Sequence, residues 1–315
     1  MNPTLTGREA VNGVVASKTA VHGVLARETV VDGAVPRVRG TLSWLALGAA
    51  VAAALGLYAP VVAGLPKEWS EFPSLSHGFA VPLISAYLLW RQRHVLAQAP
   101  FQGSAIGLPI ILVALGMLVM GSLTGEPFVA RLSLPLVLFG TVLFLGGPHI
   151  ARHAWVGIAY LVFMIPLPYL TLKALTYHSR LFDAGVTATV LGWFGVPVLR
   201  DGVMLHLANM TLEVADDCSS IPAIAALLAL GAAYSQMQPR PTWIRATLTL
   251  VAAPLGLLSN IIRITVTALG VHYIGPIAIQ NVVHHFGGTT VFLLTVVLLV
   301  IIDSLLVRFW KRTSS

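Results

Sequence analysis

Ser104-Ala105-Ile106-Gly107-Leu108-Pro109-Ile110-Ile111-Leu112-Val113-Ala114-Leu115-Gly116-Met117-Leu118-Val119-Met120-Gly121-Ser122-Leu123 carries no ionisable side chain. At a rise of about 1.5 Å per residue, a helix of this length spans about 30 Å, the thickness of a bilayer's hydrocarbon core. Similar apolar runs recur at roughly 42–64, 77–91, 132–148, 154–171, 219–236, 246–268 and 289–307. The 315 residues are 57% hydrophobic and only 10% charged. Soluble domains carry about 25% charged residues, so no water-facing surface can be assembled from this composition. The fold class read from the sequence is an all-α polytopic membrane protein with about eight transmembrane helices.

Eight crossings put both termini on one side, and charge assigns that side. With the N-terminus inside, the inner segments hold thirteen of the 19 Lys and Arg residues and the outer segments six: Lys67, Arg131, Lys173, Arg180, Arg200 and Arg263. An excess of this sign marks the cytoplasmic face. The formal charge of +7 is therefore topological. No basic cluster forms a nucleic-acid footprint, and nucleic acid is not expected as a partner.

Residues 1–41 read as a cytoplasmic N-terminal extension, 42–309 as the membrane domain and 310–315 as a cytoplasmic tail. The extension has no apolar core of the kind a cleavable signal peptide needs. It repeats loosely every ten residues, at Val11-Asn12-Gly13-Val14, Val21-His22-Gly23-Val24 and Val31-Asp32-Gly33-Ala34. Short glycine-punctuated pieces of this sort suit a weakly ordered tail or turns between β-like segments.

The longest outer segment runs from about 172 to 218, after Pro166-Leu167-Pro168 ends a helix. Residues 178–195 are moderately apolar, interrupted by Arg180 and Asp183, and predict a helix at the outer interface. Residues 203–207 and 210–214 predict two short strands, with Asn209 in the turn. This small hairpin leads to Cys218, the chain's single cysteine, so no intrachain disulfide is possible.

Three polar features need a reason to be where they are. Cys218 sits at a helix N-terminus in Asp216-Asp217-Cys218-Ser219-Ser220-Ile221-Pro222, where Asp216 or Asp217 can cap and Pro222 suits the first turn. The orphan N–H groups favour a thiolate there and the aspartates oppose it. A lone cysteine can equally be a small buried hydrophobe. Arg263 lies in an apolar span, one helical turn after Asn260, and faces either a polar cavity or the interface. Asp216 or Asp217 is the expected carboxylate for it at rest. His284 and His285 precede the last span and read as loop residues or as a partner for the thiol. No metal-ligand spacing, nucleotide-binding glycine motif or transporter-like inverted repeat occurs, so no metal or cofactor is expected.

The eight-span topology places Cys218, Arg263 and His284 at one membrane face. Asp217-Cys218-Ser219-Ser220-Ile221, Asn260-Ile261-Ile262-Arg263, and His284 with Gly288 four residues on resemble, in that order, the three motifs of the exosortase/archaeosortase family. The likeness covers most of residues 45–308. It includes Ser76-His77-Gly78 and Phe163-Met164-Ile165-Pro166-Leu167-Pro168.

The resemblance implies a membrane cysteine protease or transpeptidase of Gram-negative, exopolysaccharide-producing bacteria, acting at the outer face of the inner membrane. Its implied partners are secreted proteins ending in a short motif, one transmembrane helix and a basic cluster (PEP-CTERM-like), an acceptor nucleophile, and membrane lipids. Carried over by position, Cys218 is the nucleophile, Arg263 the transition-state stabiliser and His284 the general acid/base. Asn260, Ser220, Gly288, Asp217 and His77 are supporting residues. Ser220 departs from the family's usual glycine, which narrows the room for a substrate backbone or alters the turn. The competing readings are a lipid-linked sugar or acyl transferase of polysaccharide export, and a nonenzymatic transport or assembly protein.

Overall fold

The computed structural model describes residues 37–216, 219–275 and 288–313. The chain divides into two units, Met1–Trp44 and Leu45–Ser315. The first is described only from residue 37, where it is helical; the rest of the expected N-terminal extension, with its ten-residue repeat, lies outside the described residues.

The helices are α1 (Arg37–Val62), α2 (Leu65–Glu71), α3 (Ala80–Arg91), α4 (Arg93–Gln98), α5 (Gly107–Thr124), α6 (Pro127–Thr141), α7 (Pro148–Tyr160), α8 (Tyr169–Trp193), α9 (Ser220–Met237), α10 (Thr242–Tyr273) and α11 (Gly288–Thr313). Among the described residues six helical stretches are long and apolar enough to cross a membrane. They are Thr41–Val62, Gly107–Thr124, Pro127–Gly146, Ser220–Met237, Thr242–Tyr273 and Leu293–Arg312. A seventh arises if Pro148–Met164 and Tyr169–Trp193, bent by 77° to each other, make one broken span. The protein is a multi-pass, predominantly helical membrane protein.

Length and composition alone do not single out the other two expected spans, for local reasons. The expected second span, 77–91, is a 3-10 turn over Pro73–Phe79 followed by α3. Twelve residues of α3 reach about 18 Å, and with the turn before it the segment runs from His77, beside the start of α9, to Arg91, whose Nη1 donates to the Gln236 carbonyl at the far end of α9. Gly78 in that turn presses on Trp69: an added Cβ would stand 2.4 Å from the Trp69 Nε1. The expected fifth span is broken by the Pro166 and Pro168 pair, and α8 starts directly after Pro168. The interfacial helix expected at 178–195 thus begins nine residues sooner.

The expected hairpin is present as β2 (Met204–Leu207) and β3 (Thr211–Glu213), with Asn209 in the connection. A further strand, β1 (Val198–Asp201), pairs antiparallel with β2 across a turn at Gly202. β2 alternates toward the protein: Leu205 packs with Val214, Ala184 of α8 and Ile264 of α10. Leu207 packs with Leu191, Val196, Ala268 and Val271. The sheet is thereby seated on α8 and α10, and its exit points at the start of α9.

α9 and α10 form a tight hairpin. A Cβ on Gly256 would lie 2.8 Å from the Cα of Ile224, so only glycine lets the two backbones approach this closely. A Gly256→Val protein should lose about 1–3 kcal/mol of stability from overpacking. Denaturation in mixed micelles measures this, and an unchanged midpoint would contradict the packing described.

Two ion pairs join elements of the helical body, as a low-dielectric surround favours. Arg131 donates to both Glu68 oxygens at 2.8 and 2.5 Å, joining α6 to α2. Tyr234 and Arg240 both donate to Asp303, at 2.9 and 3.1 Å, tying the end of α9 to α11.

Candidate active site

The α9 N-terminus is where the sequence places its chemistry, and a neighbouring helix organises it. Ser220, fully buried, is the first residue of α9, and its backbone N–H is one of the helix's orphan donors. Neither Asp216 nor the N-cap Ser219 satisfies it. It donates instead to Asp183 Oδ2 at 3.0 Å and to Ser179 Oγ at 3.1 Å, both on α8. The Ser220 hydroxyl donates to both Asp183 oxygens at 2.6 Å. Asn260 of α10 adds a third donor group, its Nδ2 at 2.9 Å from Asp183 Oδ2. Ser179 Oγ completes the set at 3.3 Å. One fully buried carboxylate therefore staples α8, α9 and α10 together at a single point.

The cluster explains the departure from the family's glycine. The extra hydroxyl of Ser220 does not face substrate space; it is buried against Asp183. The expectation that Asp216 or Asp217 caps α9 is corrected for Asp216. That carboxylate is held by Arg180 Nη1 at 2.5 Å. Arg180 also donates through Nη2 to Glu213 at 2.9 Å, and through Nε to the carbonyl of Val214.

α8 consequently grips the chain on both sides of the cysteine. Arg180 holds 213–216, and Ser179 and Asp183 hold residue 220. On α8, Ser179 and Asp183 are four residues apart and share a helix face, and Arg180 lies three residues before Asp183. Asp217 and Cys218 themselves lie outside the described residues, as do His284 and His285. Gly288 is the first residue of α11. Arg263 is half-buried on α10, about 4.5 Å along the axis from Asn260, and its carbonyl accepts from Thr267 at 2.8 Å. Beside the cysteine, the Ser219 hydroxyl is buried and makes no hydrogen bond among the described residues.

A cavity of about 270 Å³ adjoins the same helix start. Its wall is largely apolar and includes Trp69, Phe163, Pro166, Ile221 and Pro222, with His77 as a polar exception. Two stretches that the sequence singled out separately, around Ser76-His77-Gly78 and Phe163-Met164-Ile165-Pro166, thus meet against the first turn of α9. The Trp69 indole fixes this wall by donating to the Met164 carbonyl at 3.1 Å. Among the described residues no three His, Cys, Asp or Glu side chains converge as metal ligands.

The family of transmembrane exosortases matches this chain over residues 69–301, a range that holds every element of the site. The chain belongs to the transmembrane exosortase family. Neither a curated protein nor a solved structure matches it. Membership carries a general role as a membrane protease or transpeptidase. In this exosortase, sequence reasoning missed Ser179, Arg180 and Asp183 as members of the site. The available signal was spacing: Ser179 and Asp183, four residues apart on a helix that the sequence reading assigned to the interface.

Proposed function

We propose that this exosortase is a cysteine peptidase or transpeptidase that cleaves a C-terminal sorting signal of secreted proteins at the outer membrane face. The observation that carries the reading is the Asp183 staple. It fixes the helix start that follows Cys218, and it brings there the helix that bears Arg263. Such rigid placement of supporting groups is what a pre-organised site requires.

The substrate's own membrane helix lies beside the enzyme, with its basic tail on the cytoplasmic side, where both termini also sit. The residues before that helix enter the apolar cavity at Ile221 and Pro222. His284 takes the thiol proton, and the Cys218 sulfur forms a bond to the scissile carbonyl carbon. Arg263 stabilises the oxyanion. The C–N bond breaks as the leaving amine takes the proton from His284. Water or an acceptor amine then attacks the thioester and returns the thiol.

The Arg263→Ala enzyme tests the oxyanion role. One such donor is worth about 3 kcal/mol, so the maximal rate should fall on the order of a hundredfold. Signal recognition, read as KM, should change far less. Cells carrying a tagged substrate with a motif, helix and basic cluster provide the assay. Full-rate processing by Arg263→Ala would remove the arginine from the mechanism.

A further inference from the structure

At the far end of α9 from Ser220 lies a second and larger cavity, of about 860 Å³. Sixteen residues of helix separate Ser220 from Gln236, about 24 Å, so this cavity opens at the opposite membrane face. Three arginines line it: Arg91 at the end of α3, Arg152 on α7 and Arg245 on α10. No carboxylate lines it. None of the three arginines forms an ion pair among the described residues.

Gln236 holds two of them in place. Its carbonyl accepts from Arg91 Nη1 at 2.9 Å, and its Oε1 accepts from Arg245 Nη1 at 3.2 Å. The Nε of Arg245 is buried and makes no hydrogen bond among the described residues. Three clustered cations with unused donors and no compensating acid make a positive local field that draws in an anion. Guanidinium groups match the geometry of phosphate oxygens.

We propose that this cavity binds the phosphate headgroup of an anionic phospholipid. Its walls choose the lipid over a soluble anion. Trp155 and Leu250 line it while remaining 52% and 69% exposed, so the cavity runs into the apolar outer surface that acyl chains cover. Arginine pockets between membrane helices at an interface are suited to such headgroups. A basic peptide segment would be repelled from it. The proposal does not depend on the peptidase chemistry.

The full-length protein in nanodiscs provides the test. Lipids retained after detergent extraction are counted by native mass spectrometry, from discs of phosphatidylcholine alone or mixed with phosphatidylglycerol. The wild type should retain phosphatidylglycerol preferentially. Arg152 is exposed and makes no described hydrogen bond, so Arg152→Gln should fold normally and lower that preference about fivefold. The Arg91→Gln/Arg152→Gln pair should lower it about 25-fold, and Arg152→Lys should restore it. Unchanged retention in the double variant would overturn the proposal. So would displacement by millimolar inorganic phosphate without preference for phosphatidylglycerol, which would make this a soluble-anion site. Because no cleavage is read, failure here leaves the peptidase reading standing.

Discussion

The Cys218→Ala protein should accumulate to normal levels in the membrane and release no processed substrate. The expected loss is on the order of 10⁴-fold or more, the scale seen when a covalent nucleophile is removed from an enzyme whose other groups act through it. The Cys218→Ser enzyme should be nearly as inactive. A hydroxyl is a far weaker nucleophile at neutral pH, and a site arranged for a thiol does not deprotonate it. Because the chain has one cysteine, a thioester adduct trapped on the wild type can belong to no other residue. Its absence from a mass spectrum of enzyme mixed with substrate, together with full processing by Cys218→Ala, would eliminate the thiol mechanism. A lipid-linked transferase or a transport protein predicts a different outcome: the wild type itself would cut no peptide, and cysteine replacement would be silent.

The same cysteine shows which parts of the protein can be read from one sequence. The long apolar runs could be read because a membrane span is a length and a composition, and both are local properties. Residues 104–123 announce a crossing whatever surrounds them. The hairpin before Cys218 was also legible, since Met204-Leu205-His206-Leu207 alternates with the period of a half-buried strand. β1 was not. Apart from Val198, which packs against the core, Val198-Leu199-Arg200-Asp201 is exposed, so it shows no alternation in the side-chain pattern.

The site divides in the same way. Cys218, Arg263 and His284 stood out because each is anomalous in its own segment: a single thiol, a charge in an apolar span, a histidine pair. Asp183 did not. In sequence it looks like one of two charges on an interfacial helix. Its burial is decided by Ser220 and Asn260, which arrive from 37 and 77 residues away. A polar residue's meaning depends on what closes over it, and no window along the chain contains that information.

Asp183 is also where the second large effect is expected. In the Asp183→Ala protein, four donor groups lose their common acceptor at once: the Ser220 N–H, the Ser220 hydroxyl, the Asn260 amide and the Ser179 hydroxyl. Each buried donor left unsatisfied costs about 1–3 kcal/mol, and partial rearrangement of the two hydroxyls reduces the total. A loss of about 3–5 kcal/mol is expected, with the start of α9 released and processing lost together with stability. The Asp183→Asn protein separates placement from charge. Its side-chain carbonyl can stand where Oδ2 accepts from Ser220 and Asn260, and its amide can donate to the Ser220 hydroxyl. As a positioning residue, Asp183 should therefore be rescued by asparagine, with processing within about tenfold of wild type, because the retained hydrogen bonds carry most of the pairing energy. Thermal unfolding and processing rate should recover together. If Asp183→Asn folds like the wild type but is as inactive as Asp183→Ala, the carboxylate charge takes part in the chemistry, and the staple alone does not explain its place at the start of α9.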